Sequence, residues 1–313
     1  MGAMSALHRV LTARNPGIPT VQLEFPYLDS YKVQEQCGPG VVDLTAPGSG
    51  GAFELEAHFA DGGRAAAAFT EVPSNPLLRT ADLSRISGIL AREEVPLIID
   101  DTIATAVNVE PFRFAAAVTT SLTKLFSGVG DVAAGSVVLN PASPFYEELK
   151  VGLPVEESAS PLFARDAIVL ERNSRHFAER VEATNENALE LVDWLRTRPE
   201  VASLWHPSLT CRSFYDAIKR PEGGYGGLFS LELHGGERAA AAFYDALEIS
   251  KGPSLGTNFS LVSPYTLLAH YRELDWAARR GAPANLIRVW TGLEEPEDLQ
   301  ERYLMAFEAA RGA

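Results

Sequence analysis

The chain is poor in cysteine, in basic charge and in long apolar runs, and each shortage excludes something. Cys37 and Cys211 are its only cysteines, far apart and in no metal-type spacing, so neither a disulfide framework nor a zinc site is expected and a reducing, cytoplasmic setting fits best. Lysine and arginine total 27 against 41 acids, a formal net charge of −14. Such a surface repels phosphate backbones and anionic lipid heads, so no nucleic acid and no membrane is expected as a partner. No run is long enough to span a bilayer, and the opening MGAMSALHRVLTAR carries Arg9 and Arg14 where a signal core would be apolar. The six histidines show no metal-ligand pairing, and GxSxG is absent. GVGDVAAG (128–135) precedes a strand instead of opening a helix after one, which argues against a dinucleotide loop.

What is present is a chain of 313 residues, 46% of them hydrophobic, enough for a large core and, by length, two domains. TVQLEF (20–25), AAAAFTE (65–71), VPLIID (95–100), AAAVTT (115–120) and AAGSVVLN (133–140) read as buried strands. DLSRISGILAREE places Leu83, Ile86 and Leu90 on one helical face. Strands alternating with helices predict an α/β fold with a mainly parallel, doubly covered sheet. CGPGVVDLTAPGSGGA (37–52) and VGLPVEESASP (151–161) read as loops, and ERNSRHFAERVEATNENALELVDWL as one long helix leading into a second domain. GLFSLEL, ERAAAAFYDAL, NLIRVWTGL and DLQERYLMAFEAA follow as strand, helix, strand, helix, which suits a smaller α+β domain. The expected division is 1–182 and 183–313.

Ligands of open α/β sheets bind outside the carboxyl ends of the strands. Asp100 ends one such strand, and Lys124 lies just past the next with Ser121 and Thr123 beside it. A carboxylate for a pyridine nitrogen, an amine for an aldehyde and hydroxyls for a phosphate together match pyridoxal 5'-phosphate, or PLP. Taken singly, the lysine reads as surface, the aspartate as a helix cap and the hydroxyls as turn residues. Their joint spacing favours the cofactor. Arg288 stands inside an apolar strand pattern, where a guanidinium needs either an anionic ligand or a buried ion pair.

EVPSNPLL (71–78), IIDDTIAT (98–105), TSLTKLFSG (120–128), GPSLGTNFSLVSPYTLLAHY (252–271) and NLIRVWTGLE (285–294) resemble the Cys/Met-metabolism group of PLP-dependent enzymes, in wording closest to fungal cystathionine γ-synthase-like members. The resemblance implies the fold-type-I, aspartate aminotransferase-like architecture for the large domain. By it, Lys124 holds the cofactor covalently and later shuttles protons, Asp100 pairs with the ring nitrogen, and Thr102 supports it from the same face of a continuing strand. Asn75 lies near the cofactor's phenolic oxygen, with an ordinary turn residue as the alternative. Tyr27 stacks on the ring, with a core or interface filler as the alternative, because Leu28 and Asp29 replace the glycines the group carries there. Arg288 clamps the substrate's α-carboxylate and Ser254 assists it. GAMSALHRV is similar to a glycine-methionine loop that opens a helix, so the amides of Gly2, Ala3 and Met4 are free for phosphate. The group's preceding segment, which supplies phosphate-binding residues to a neighbouring subunit, is expected to be missing here.

The same resemblance implies γ-replacement on an O-acylated homoserine, in transsulfuration and methionine–cysteine metabolism, by a homo-oligomer, dimer or tetramer. An O-acylhomoserine sulfhydrylase, a γ-lyase, a specialised-metabolism γ-substitution enzyme and a catalytically silent truncated homologue remain open as alternatives.

Overall fold

A computed structural model describes residues 1–45, 50–158 and 161–313. Its first sheet holds β1 (Thr20–Leu23), β2 (Val41–Leu44), β3 (Ala68–Glu71), β4 (Leu97–Asp100), β5 (Ala117–Ser121) and β6 (Gly135–Leu139), in the order β2-β1-β3-β4-β5-β6. All neighbours are parallel except β6, which runs antiparallel to β5. The apolar runs are continuous because both faces are buried. Along β4, Leu97 and Ile99 face a core shared with Leu55, Ile86 and Leu90, whereas Ile98 faces Leu7, Leu11 and Phe69. Helix α1 (Gly2–Arg14) covers the second face; α3 (Ala52–Ala60) and α4 (Leu83–Arg92) cover the first. Helix α2 (Leu28–Gln36), opened by Tyr27, lies beside α1, and its Gln34 bonds Thr20 and Gln22 of β1.

Helix α4 forms where the sequence pattern places it. Asp82 caps it by accepting from the Arg85 amide at 3.2 Å, and Leu83, Ile86, Ile89 and Leu90 are buried. Each of those side chains stabilises the fold by about 1.5–3 kcal/mol, so packing outweighs the cap's roughly 1 kcal/mol.

The second sheet contains β7 (Val201–Trp205), β8 (Leu228–Leu233), β9 (Ser250–Lys251), β10 (Leu261–Ser263) and β11 (Ile287–Trp290), ordered β7-β8-β11-β10-β9 and antiparallel apart from the β9–β10 pair. One face packs on the helices Phe177–Leu195, Gly236–Ala246 and Pro296–Arg311 through Leu191, Leu195, Phe243, Tyr303 and Phe307. Leu78, Ile103, Leu125, Val181, Leu255 and Trp290 form a further apolar cluster that joins the two sheets' surroundings.

Three local expectations are corrected. Residues 41–44 lie inside the stretch read as a loop, yet they form the edge strand β2, paired residue by residue with β1; their four-residue run is hidden between glycine and proline flanks, and 46–49 of that stretch lie outside the described residues. VGLPVEES closes the helix Tyr146–Ser158 with Pro154 inside it, while residues 159–160 lie outside the description. Leu149 and Leu153, four residues apart, pack with Val10 against the α1 cluster, and Arg9 reaches Glu156 at 2.6 Å. That packing offsets the hydrogen bond lost at proline. The long helix over 171–195 is instead two, Ala164–Ser174 and Phe177–Leu195, parted where His176 leaves helical geometry at φ −117° and ψ 33°.

Candidate active site

The carboxyl ends of β3, β4 and β5 converge on a cavity of about 520 Å³, a volume that suits a cofactor with a small substrate. Eleven of the twelve residues singled out from the sequence line it: Ala3, Met4, Tyr27, Asn75, Asp100, Thr102, Ser121, Thr123, Lys124, Ser254 and Arg288. Gly2 starts α1 but is not part of the lining.

Lys124 sits in the turn that follows β5, its amide bonded back to the Ser121 carbonyl at 3.2 Å. Its Nζ donates to Ser254 Oγ at 2.9 Å. Burial, and then the Arg288 guanidinium, pushes its pKa below the usual lysine value, which raises the fraction of nucleophilic amine. Two devices hold the turn. Arg180 Nη2 donates to the carbonyls of Leu125, Phe126 and Ser127 at 3.2, 2.9 and 3.3 Å. Gly256, at φ +79°, lies so close that a Cβ there would come within 2.7 Å of the Lys124 carbonyl carbon. Only glycine fits that approach.

Asp100 ends β4, and burial raises its pKa, with the Thr102 hydroxyl and amide acting in the opposite sense. The expected geometry of Thr102 is corrected here: the strand stops at Asp100, and Thr102 turns back so that its amide donates to Asp100 Oδ1 at 2.9 Å. Thr102 Oγ1 in turn accepts from the Ser121 amide at 2.8 Å. The acid and the lysine turn are thus braced by one threonine. Thr123 Oγ1 accepts from the Ala134 amide at 3.0 Å and lies 3.3 Å from its carbonyl, so this hydroxyl also ties the lysine turn to the β6 approach.

Arg288 is buried in β11 and no carboxylate pairs with it among the described residues, which removes the structural ion pair as its explanation. Instead Nη1 donates to Asn75 Oδ1 at 2.8 Å, Nη2 donates to the carbonyls of Pro253 and Ser254, and the guanidinium lies 4.6 Å from the Tyr265 ring. Asn75 also donates to the Tyr265 hydroxyl at 2.9 Å, so it orients the arginine and is more than a turn residue. Burial depresses the Arg288 pKa. A buried cation with neutral partners calls for an anion.

Tyr27 is 43% exposed at the mouth of the cavity, which rules out a core role. Its hydroxyl donates to Asp29 Oδ2 at 2.9 Å, and burial, with that bond next, pushes its pKa up to about 12. Sequence reasoning passed over Glu71 and Tyr265, both buried in the lining. Glu71 was visible as an acid at a strand's carboxyl end; Tyr265 stood in SPYTLLAHY without a distinguishing neighbour.

The residues present fit PLP. A carboxylate and an amine of lowered pKa stand on adjoining strand ends, the first turn of α1 offers amides without intrahelical partners, and the cavity is large enough.

Residues 24–308 match the sequence family described as "Cys/Met metabolism PLP-dependent enzyme". The chain is 42% identical to cystathionine gamma-synthase of Neurospora crassa over 99% of its own length and 51% of that protein's. It is 39% identical to the cystathionine gamma-synthase-like enzyme iboG2 of Amanita muscaria, over 100% of this chain and 53% of that one. The chain therefore spans about half the length of these curated relatives. The crystal structure of cystathionine gamma synthase from Xanthomonas oryzae pv. oryzae in complex with cystathionine superposes with a TM-score of 0.85 at 27% identity, covering 99% of this chain and 80% of that one.

Proposed function

This chain belongs to the Cys/Met metabolism PLP-dependent enzyme family, and from that premise we propose that it carries out γ-replacement on an O-acylated homoserine, as a cystathionine γ-synthase-like enzyme. One observation carries the reading: Lys124, Asp100 and Arg288 face a single cavity of about 520 Å³. When bound, PLP supplies an aldehyde that condenses with amines and a protonated ring that withdraws electrons from the substrate's α-carbon.

The chain's own residues do the rest. Arg288 binds the α-carboxylate in a bidentate pair, preset by Asn75. Asp100 holds the proton on the ring nitrogen through its ionised carboxylate. The Lys124 amine takes the proton from Cα and delivers protons further along the substrate, so that the Cγ–O bond breaks and the acylate leaves. A thiol such as cysteine then forms the new bond at Cγ and gives up its proton. Ser254, bonded to Lys124 and through its carbonyl to Arg288, keeps the base beside the bound carboxylate.

The homo-oligomer, the cytoplasmic setting and a place in methionine biosynthesis belong to the same proposal. So does a domain boundary at 182/183, inside the helix Phe177–Leu195; Val181 packs in the cluster between the sheets and Leu191 in the core of the second.

The test is direct. The purified protein is mixed with PLP, O-acetyl- or O-succinylhomoserine, and cysteine, sulfide or no nucleophile. Cystathionine formed with cysteine, and lost in Lys124→Ala, supports the proposal. Preferential homocysteine from sulfide, or a keto acid without any nucleophile, moves the chain to the sulfhydrylase or lyase reading. A protein that forms its PLP absorption band yet turns over none of these moves to the specialised-metabolism γ-substitution reading or to the catalytically silent one, and turnover with a carbon nucleophile separates the two.

A further inference from the structure

Glu71 ends β3 directly beside Asp100, its partner in the β3–β4 register. Residues paired across parallel strands face the same side of a sheet, so both carboxyl groups look toward the one cavity, and both line it. Glu71 is 9% exposed, and its Oε1 accepts the backbone N–H of Tyr27 at 2.5 Å. The chain thereby reaches 44 residues back to fasten the segment that opens α2 and carries the tyrosine ring.

Two carboxylates abutting in a buried site cannot both stay ionised without a cation between them. Among the described residues, the titratable side chains that interact with Glu71 are Asp100 on β4, Tyr27 ahead of α2 and Tyr265 across the cavity, none of them a cation. The cations Lys124 and Arg288 line the same cavity but bond Ser254 and Asn75. Both acids accept backbone amides, Asp100 that of Thr102 and Glu71 those of Tyr27 and Asn75, and Asp100 has the better claim to the charge because the Thr102 hydroxyl also favours its ionised form. The Glu71 pKa is raised well above the usual glutamate value by burial and then by the Asp100 charge, against the opposing Tyr27 and Asn75 amides.

We propose that Glu71 is a positioning residue of this site: as a neutral acid it clasps the Tyr27 backbone, fixes the tyrosine ring at the cavity mouth, and leaves Asp100 the single anion facing the cofactor. The inference rests on the PLP reading above. A neutral carboxyl accepts from an N–H through its carbonyl oxygen, as a carboxamide does, so glutamine is the conservative replacement here and an apolar residue of similar size is the disruptive one.

PLP binding to wild type, Glu71→Gln and Glu71→Leu is followed by the visible absorption band and its circular dichroism, with thermal melts as a check on folding. The expected result is E71Q within about twofold of wild-type affinity with the same dichroism, and E71L weaker by about tenfold with reduced dichroism. On a Tyr27→Ala background the E71L loss is expected to vanish, because the ring it positions is gone. Should E71L not fold, Glu71→Met makes the same comparison with a more adaptable chain. The proposal is overturned if E71Q falls with E71L, which would mean the charge is required, or if both bind as wild type does. A wild-type protein without any Lys124-dependent band overturns the PLP reading itself, an outcome visible before any Glu71 variant is compared.

Discussion

Arg288 Nη1 donates to Asn75 Oδ1 at 2.8 Å across 213 residues of chain, so a side chain from the second sheet is aimed by one that follows β3 of the first. The arginine's other contacts are carbonyls and an aromatic face, which orient the fork without neutralising it. Arg288→Lys keeps the charge and loses the fork. We expect kcat/KM for the amino-acid substrate to fall by about ten- to a hundredfold, mostly in KM, with PLP affinity unchanged. Steady-state kinetics with a PLP titration check this; an unchanged KM removes Arg288 from substrate binding.

Asn75→Ala tests the aiming separately. It takes one hydrogen bond from Arg288 and one from Tyr265 while leaving every charge in place. A smaller loss, about fivefold to twentyfold in kcat/KM, is expected, and Arg288→Lys on that background should add less than it does alone. Full additivity in the double-mutant cycle would show that the two residues act independently.

The lysine turn gives a stability expectation. At Gly256 the backbone is left-handed and a Cβ would press on Lys124 and Leu125. Gly256→Ala combines strain at positive φ with a clash against backbone that Arg180 holds in place. Loss of about 2 kcal/mol or more in urea unfolding, together with loss of the PLP band at temperatures where wild type keeps it, is the expected outcome. Wild-type stability with an intact band would show that the turn moves freely.

Which parts of this site are legible from sequence follows from how local they are. Asp100 and Lys124 stand at the ends of apolar runs, and an apolar run buried on both faces marks a central parallel strand without any knowledge of its partners. Arg288 was conspicuous for the opposite reason, one cation in an apolar strand. Strand β2 is hidden because its four residues lean on β1 and not on their own pattern, and VGLPVEES reads as a loop because of its glycine and proline, whereas packing against α1 keeps the helix going. Glu71 and Tyr265 owe their roles to partners 44 and 190 residues away, Tyr27 and Asn75 respectively. No spacing rule reaches that far.

Asp101 supplies a pH dependence whose sign can be worked out. It is 2% exposed and accepts from Thr120 Oγ1 at 2.5 Å; burial raises its pKa to about 7, with the Asp100 charge adding to the rise and the Thr120 bond opposing it. The unfolded chain loses this proton near the ordinary value of 3.8, the folded protein near 7. Between those values the folded state binds more protons, so stability falls as pH rises through the window, and above it the folded state carries a buried charge. Asp101→Asn keeps an acceptor for Thr120 and removes the ionisation. The variant should match wild type near pH 4 and exceed it at pH 8 by on the order of 2 kcal/mol, less than the full linkage value because local relaxation around a buried charge favours the ionised native form. Urea unfolding of the two apoproteins at both pH values checks this. A stability difference independent of pH would mean that Asp101 titrates in the folded protein near its ordinary value, and one largest in acid that it titrates below it.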